Sequence, residues 1–263
     1  MLIAQISDLH IQLGGKYEHL ISARRHLAAC VDALNALLPQ PDLVVATGDL
    51  TEHGSHDEYR VLKQELTRLK TPFLLIAGNH DDPATLRANF PEHVWMRDAA
   101  PFLQYTIETW PLRIVALDTT LPRRSEGELC AARLEWLAQT LAEQPGRPTL
   151  ILMHHPPFET GIKRMDELGL LKGRDAFAKV IEPYRNIERI LCGHLHRSIV
   201  CRVGSTVAST CPGTAHQIEL DLRDEAELSF NFEPPGYQLH WLSPQGLVSH
   251  HAVIGDFPGP HVF

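Results

Sequence analysis

The sequence predicts an α/β fold built as a two-sheet αββα sandwich with a small C-terminal β cap. Three observations predict it. Short apolar runs alternate with amphipathic helical stretches through the first 200 residues, the pattern of βαβ units whose strands are buried on both faces. Five of those runs stop abruptly at Asp, Asn or His. Beyond Arg197 the helical periodicity gives way to β-like runs punctuated by Gly and Pro.

The first strand runs from Leu2 to Ser7 and ends in Asp8-Leu9-His10. A polar loop, Gln12 to Glu18, leads to a helix from His19 to Leu38, with Leu20, Leu27, Val31, Leu34 and Leu38 at helical spacing. Pro39-Gln40-Pro41 stops it. The second strand, Leu43 to Thr47, delivers Gly48-Asp49, and Ser55 and Glu58 have the spacing of a capping box that opens the next helix. Thr71-Pro72 leads into the third strand, Phe73 to Ala77, which ends in Gly78-Asn79-His80-Asp81. A shorter helix from Asp82-Pro83 to Phe90 and a less regular stretch to Pro101 follow, then strands over Phe102 to Glu108 and Leu112 to Leu117. Asp118 reads as a turn residue, Leu121 to Gly127 as a polar loop and Ala131 to Glu143 as a helix. The strand Thr149 to Met153 ends in His154-His155. The connection from Phe158 to Gly173 is long enough to be functional, and its Lys163, Arg164 and Asp166 suit either a substrate entrance or a solvated loop. After a helix from Asp175 to Ile181, the strand Ile187 to Cys192 ends in Gly193-His194-Leu195-His196.

The remaining strands fall at Ile199 to Val203, Thr206 to Ser209, His216 to Leu222, Tyr237 to Leu242 and Leu247 to Ile254. Residues 1–200 are expected to form a catalytic core, with 201–263 completing the second sheet and adding the cap, all within one structural domain. The segment from Ser249 to Phe263 has the look of a tail that packs on another subunit, so a homo-oligomer, a dimer or higher, is expected.

At 263 residues and 44% hydrophobic content the chain can bury a large core. Its formal net charge of −8, with no basic run longer than two residues, disfavours a nucleic acid duplex as partner. No apolar run approaches the ~20 residues of a membrane span, and no basic leader precedes Leu2, so no membrane partner and a cytoplasmic location are expected. The five cysteines are odd in number and form no close pair, as reduced cysteines would; Cys201 and Cys211 alone flank a hairpin and could pair across it.

Asp49, at the end of a buried strand, is the natural centre of the site, because open α/β sheets place ligands beyond the carboxyl ends of their strands. Asp, Asn and His together offer oxygen and nitrogen ligands suited to Mn, Fe, Co or Zn rather than calcium. The strand ends supply too many for one ion. Two divalent ions about 3.5–4 Å apart, bridged by one carboxylate, would use them all. Four positive charges, less Asp8, Asp49 and one hydroxide, leave a site near plus one, matched to a phosphodiester monoanion. Water bound to such ions reaches a pKa of roughly 7, so hydroxide is available for in-line attack on phosphorus.

Asp8-Leu9-His10, Gly48-Asp49, Gly78-Asn79-His80-Asp81, His154-His155 and Gly193-His194-Leu195-His196, in this order, resemble the motif series of the calcineurin-like metallophosphoesterase superfamily. Its bacterial class III cyclic nucleotide phosphodiesterases and related glycerophosphodiesterases are the nearest in pattern. The resemblance implies that Asp8, His10 and His196 hold one metal, that Asn79, His154 and His194 hold the second, and that Asp49 bridges them. It takes His154 rather than His155 as ligand, a choice that the residues themselves leave open. Asp49, Asn79 and His80 would be catalytic, with His80 donating to the phosphate or protonating the leaving group. Asn79, His80, His196, His216 and Tyr17 are the candidates for contact with substrate, and His53 is near enough in sequence to reach the site mouth. Phe158, Met165, Tyr237 and the stretch Phe230 to Pro235 are candidates for a pocket around the alcohol.

Glu52 stands where purple acid phosphatases carry a tyrosine ligand, and the stretch after Asp49 lacks the arginine of serine/threonine protein phosphatases. The resemblance therefore implies hydrolysis of small phosphodiesters, such as 3',5'-cyclic nucleotides or glycerophosphodiesters, without a covalent protein intermediate. Alternatives are a nuclease or phosphomonoesterase of the same superfamily. A non-catalytic protein-binding scaffold is a reading of another class, and it would predict missing ligands where none is missing.

Overall fold

A computed structural model of the chain describes residues 1–15, 17–97 and 101–262. Lys16, residues 98–100 and Phe263 lie outside them, so the Gln12 to Glu18 loop, the stretch before Pro101 and the C-terminal tail are described in part.

In chain order the elements are β1 (Leu2–Ile6), α1 (Glu18–Ile21), α2 (Ala23–Ala36), β2 (Leu43–Thr47), α3 (His56–Leu66), β3 (Phe73–Ile76), α4 (Pro83–Asn89), β4 (Tyr105–Ile107), β5 (Arg113–Ala116) and β6 (Gly127–Glu128). They continue with α5 (Ala131–Glu143), β7 (Thr149–Leu152), α6 (Lys163–Asp166), β8 (Leu170–Lys172), α7 (Arg174–Ile181), β9 (Ile187–Cys192), β10 (Val200–Val203), β11 (Thr206–Thr210), β12 (Gln217–Ile218), β13 (Phe230–Asn231), β14 (Gly236–Ser243) and β15 (Gly246–Val253).

Two sheets face each other. One has the order β15-β14-β1-β2-β3 and the other β10-β11-β9-β7-β5-β4. Strands β1, β2 and β3 are mutually parallel, as are β5, β7, β9 and β11. The chain thus builds the two-sheet sandwich its sequence predicts, and every residue of β2, β5 and β7 is buried, as central parallel strands require. Ile151, Ile190 and Val115 pack with Leu137, Leu141 and Phe177 of α5 and α7 on the outer face. Ile114, Leu150, Leu152 and Leu191 turn the opposite way into the core shared with β1, β2 and α2.

Polar groups inside the sandwich are paired across it. The Gln5 amide donates to Thr47 Oγ1 at 3.0 Å and to the Cys192 carbonyl of the opposite sheet at 2.9 Å. Tyr105 Oη donates to the Leu75 carbonyl at 2.7 Å, joining β4 to β3. Such bonds fix the offset of one sheet on the other, because a slip would strand buried donors.

The structure corrects the sequence reading in five places. The expected His19 to Leu38 helix is broken at Ser22, which adopts φ 49° and ψ 48° and separates α1 from α2; Leu20 and Leu38, expected on the buried face, are exposed. The C-terminal strands do not simply complete the second sheet. β10 and β11 do so, but β14 and β15 extend the first, since β1 needs a partner on its other edge and takes β14 antiparallel, Leu2 opposite Trp241. Most of the His216 to Leu222 strand is irregular, only Gln217 and Ile218 pairing with β13. The Phe158 to Gly173 connection contains α6 and β8, the latter pairing with β6. Finally, all five cysteines are free, Cys211 being turned inward onto the Gln5 carbonyl, so the Cys201 to Cys211 pairing does not form. Among the described residues no helix is long and apolar enough to cross a membrane.

Candidate metal centre

The five motifs converge, though not on the edge of one sheet as their sequence pattern suggested. Asp8, His10, Asp49, Asn79 and His80 follow β1, β2 and β3, whereas His154, His194 and His196 follow β7 and β9 of the facing sheet. The site lies where the carboxyl ends of both sheets meet. Beyond β1 and β2 the backbones stay joined, Asp8 N donating to the Gly48 carbonyl at 3.1 Å and His10 N to the Asp49 carbonyl at 2.9 Å.

The local backbone is unusual. Asp8, His10, Asp49, His194 and His196 have φ of 55°, 45°, 47°, 70° and 47°. Among the described non-glycine residues only Ser22 and Arg123 share that left-handed region. Each such residue costs of order 1 kcal/mol or more and persists where the surroundings over-determine it, most often at functional sites. Close packing sets the preceding glycines: a Cβ on Gly48 would overlap the His154 ring, and one on Gly78 would overlap the Asp49 backbone and carboxylate.

Asp49 is central. Its Oδ2 lies 3.3 Å from His154 Nε2 and 3.7 Å from His10 Nε2, and its Oδ1 accepts from His80 N at 2.9 Å. On one side, His10 Nε2 and His196 Nε2 are 3.1 Å apart, and His196 Nε2 is 3.6 Å from Asp8 Oδ1. The ligand atoms of Asp8, His10, Asp49 and His196 all lie within 4.8 Å of one another. On the other side, His154 Nε2 sits 3.1 Å from Asn79 Oδ1, and the His154 and His194 rings are 5.1 Å apart.

His154 and His155 belong to one cluster of potential ligands with His194, but their ring nitrogens have different partners. His155 Nε2 donates to the Ser125 carbonyl at 3.0 Å and its Nδ1 accepts from Thr119 Oγ1 at 2.7 Å, so both ring nitrogens are engaged. His154 Nδ1 donates to the Thr47 carbonyl at 2.8 Å and leaves Nε2 turned to Asp49 and Asn79. Two supporting residues escaped the sequence reading as such. Glu52 Oε2 accepts from His10 Nδ1 at 2.7 Å, while the Glu52 carbonyl accepts from His80 Nδ1 at 3.0 Å. Asp81 collects Leu50 N, Thr51 N, Thr51 Oγ1, Gly78 N and Tyr59 Oη, and so ties the Asp49 loop to the Asn79 loop. For Glu52 the only sequence signal was its place three residues after Asp49.

The residues fit metal ions. Asp8 Oδ2, His194 Nε2 and His216 Nδ1 are buried without a hydrogen-bond partner among the described residues, and buried acceptors of this kind call for a cation. Burial pushes Asp8 up to about 6, with the neighbouring Asp49 charge adding to it. Burial opposes charge on His10 and His154, yet Glu52, with Asp49 and Asp8, lifts His10 to about 9, and Asp49 with Asp8 lifts His154 to about 9. Burial acts against the Asp49 carboxylate too, but His154, His80 and His10 hold it well below the usual range. Imidazolium protons here do the work that divalent charge would do.

A cavity of about 620 Å³ opens over this cluster, bordered by Tyr17, Asn79, His80, His196, His216 and Phe230 among others. Every expected substrate contact therefore faces it. Of the expected pocket residues, Met165 and Phe230 line it, but Phe158 and Tyr237 are buried in the cores. Lys163 and Arg164 point away to Asp224 and Glu167, and Asp166 accepts from Thr160 and Gly161, so this charged trio forms no entrance. His53 instead pairs with Glu58 and borders a neighbouring recess.

The sequence profile of the calcineurin-like phosphoesterase family matches residues 1–198. The chain belongs to that family. Within it, the chain is 37% identical over 265 residues, covering 100% of this chain and 97% of the relative, to a protein of Arcobacter nitrofigilis named as a probable glycerophosphodiester phosphodiesterase. It is 31% identical over 203 residues, 75% of this chain and 70% of the relative, to the 3',5'-cyclic adenosine monophosphate phosphodiesterase of Escherichia coli K12. In fold it is similar to a dimetal phosphatase from Danio rerio, with TM-score 0.67 at 14% identity over 97% of this chain and 99% of that one. Calcineurin-like phosphoesterases work with divalent metals, and the buried His/Asp cluster is a possible site for them.

Two outcomes are expected. Glu52→Gln, which removes the charge that orients His10, weakens metal affinity 10- to 100-fold, measured by chelator competition. Metal uptake at pH 7–8 releases close to one proton from each of His10 and His154, because both are protonated below about 9 and must be neutral to coordinate; the release fades as pH rises past that value. Calorimetry in buffers of different ionisation enthalpy counts these protons.

Proposed function

We propose that the chain is a phosphodiesterase that hydrolyses small diesters, 3',5'-cyclic nucleotides such as cAMP or glycerophosphodiesters, at a centre of two divalent ions drawn from Mn, Fe, Co or Zn. The observation that carries this reading is the gathering of seven candidate ligands from two sheets, Asp49 at their centre, with His80 lining the cavity beside them. Asp8, His10 and His196 would hold one ion and Asn79, His154 and His194 the other, with Asp49 shared. When bound, the ions polarise phosphoryl oxygens and bring nearby water towards ionisation at neutral pH.

The protein's own part is orientation and proton delivery. His80 Nδ1 donates to the Glu52 carbonyl, so its Nε2 carries a proton only as imidazolium. In that form it donates to a phosphate oxygen or to the departing alkoxide. The Glu52 carboxylate lies 3.7 Å from His80 Nδ1. The side of the cavity formed by Tyr17, Ile21, Met165, Leu168, Leu228 and Phe230 offers an apolar face for one alcohol of the diester. Tyr17 meets Phe230 edge-on at 5.4 Å and His216 lies 5.2 Å from the same ring, a contiguous aromatic wall against which a flat group such as a purine can pack.

The full ligand set counts against the scaffold reading, and the net charge of −8 against a nuclease acting on duplexes. We read residues 1–200 as the catalytic core of a cytoplasmic homo-oligomer. Five free cysteines support the location. Exposed Trp241, Val248, Val253 and Phe257 on and beyond the β14–β15 hairpin supply apolar surface for a second subunit.

Chelator-stripped protein is expected to regain cleavage of bis(p-nitrophenyl) phosphate when Mn, Co, Zn or Fe is added, with the rates on cyclic AMP and glycerophosphoethanolamine ranking the two natural classes. Asp49→Ala should lose at least one ion and nearly all turnover; full metal content and activity would remove Asp49 from the centre. For His80→Ala the expected result is metal content close to normal with kcat down 10²- to 10⁴-fold, and unchanged rates on every diester would refute the acid role.

A further inference from the structure

A second recess, of about 640 Å³, lies on the other side of His80. Glu52, Asn79, His80 and Ser125 border both hollows, so the place where a scissile phosphate would sit is a partition between them. A phosphodiester has two alcohol arms. One hollow has an apolar wall; the walls of the other carry Arg123, Arg124 and Arg133.

The three arginines differ in what they have left to give. Arg124 is paired with Glu126. Arg133, 4% exposed, lies 4.2 Å over the Phe102 ring and donates to the Glu128 and Thr120 carbonyls, while its Nε has no partner among the described residues. Arg123 is exposed, held at φ 58° in the turn that Arg124 N closes onto the Leu121 carbonyl, and makes no ion pair or hydrogen bond among the described residues.

The recess also contains carboxylates; those of Asp81 and Asp118 are spent on internal donors, whereas Asp82 is exposed with one oxygen bonded and Glu52 has one oxygen bonded to His10. Asp81 is taken by the Asp49 and Gly78 loops and Tyr59, Asp82 by Thr85 N at 2.7 Å, and Glu52 by His10. Asp118 accepts from Leu103 N at 2.9 Å and Thr120 N at 2.8 Å. On the Arg123 side an incoming group meets unspent donor capacity from arginine, whose planar fork matches carboxylate and phosphate oxygens, with the Asp82 carboxylate elsewhere on the wall.

We propose that this recess binds the second alcohol of the substrate and prefers an alcohol bearing its own anionic group, which Arg123 pairs with. The proposal rests on the phosphodiesterase reading above, and metal-restored cleavage of bis(p-nitrophenyl) phosphate decides that reading separately.

The test compares glycerophosphoserine with glycerophosphoethanolamine, which differ by one carboxylate, as substrates of the metal-loaded protein. In the natural sequence the ratio of their kcat/KM values is expected to favour the serine diester about 3- to 10-fold, the modest size reflecting an exposed, screened partner. The preference should reside in KM. Arg123→Ala brings the ratio to about one, and Arg123→Lys, which keeps the charge but loses the fork, leaves it between. Because each ratio is taken within one protein sample, a partly inactive variant does not distort it. A ratio near one in the natural sequence, or one that Arg123→Ala leaves unchanged, overturns the assignment.

Discussion

Everything about this site depends on how closely two sheet edges approach. At Gly48, Gly78 and Gly193 there is no room for a side chain, because His154, Asp49 and Ser7 occupy the space a Cβ would take. That contact lets a histidine after β7 and an aspartate after β2 come within 3.3 Å although they belong to different sheets. It also confines the cost: five left-handed backbones and a set of mutually repelling buried groups are tolerable only where surrounding structure fixes them from several directions. Gln5, which links Thr47 to the Cys192 carbonyl, is one of those restraints, and Asp81, with five donors around it, is another.

The electrostatics follow from that packing. Two carboxylates and several imidazoles share a small, largely buried volume and compete for the same protons. Protons on His10 and His154 stabilise Asp49, but Asp8 Oδ2 and His194 Nε2 stay without partners. Divalent ions would replace those protons and engage the orphaned atoms together. Glu52 acts on both sides of this arrangement, its carboxylate fixing the tautomer of His10 and its carbonyl fixing that of His80. A single residue so sets the orientation of both His10 and His80.

Much of this was legible in the sequence. Buried parallel strands are continuous apolar runs, and a polar residue at the end of such a run stands out from its periodicity, which is why the gathering of Asp8, Asp49, Asn79, His154 and His194 at the strand ends could be read off. The division of those strands between two sheets was not legible, since an apolar run carries no mark of which sheet it joins. The placement of β14 beside β1 was hidden for a similar reason, pairing residues more than 230 positions apart. Side-chain roles within loops were least visible. Of the four pocket candidates, Met165 and the stretch containing Phe230 do border the cavity, whereas Phe158 and Tyr237 look like pocket residues and are core. Glu52 reads as an ordinary polar residue after a turn until the turn brings it to His10.

The pairing of β1 with β14 bears on how the molecule is made. Strand β1 carries Asp8 and His10 on its end, and β2 and β3, which close one flank of the sheet, lie within the first third of the chain. Its other flank stays open until the C-terminal hairpin exists. A nascent chain therefore carries an unpaired apolar strand edge through most of its synthesis, with the liability for mispairing that such edges bring. The long sequence separation of that final pairing places the last step of assembly among slow, non-local events.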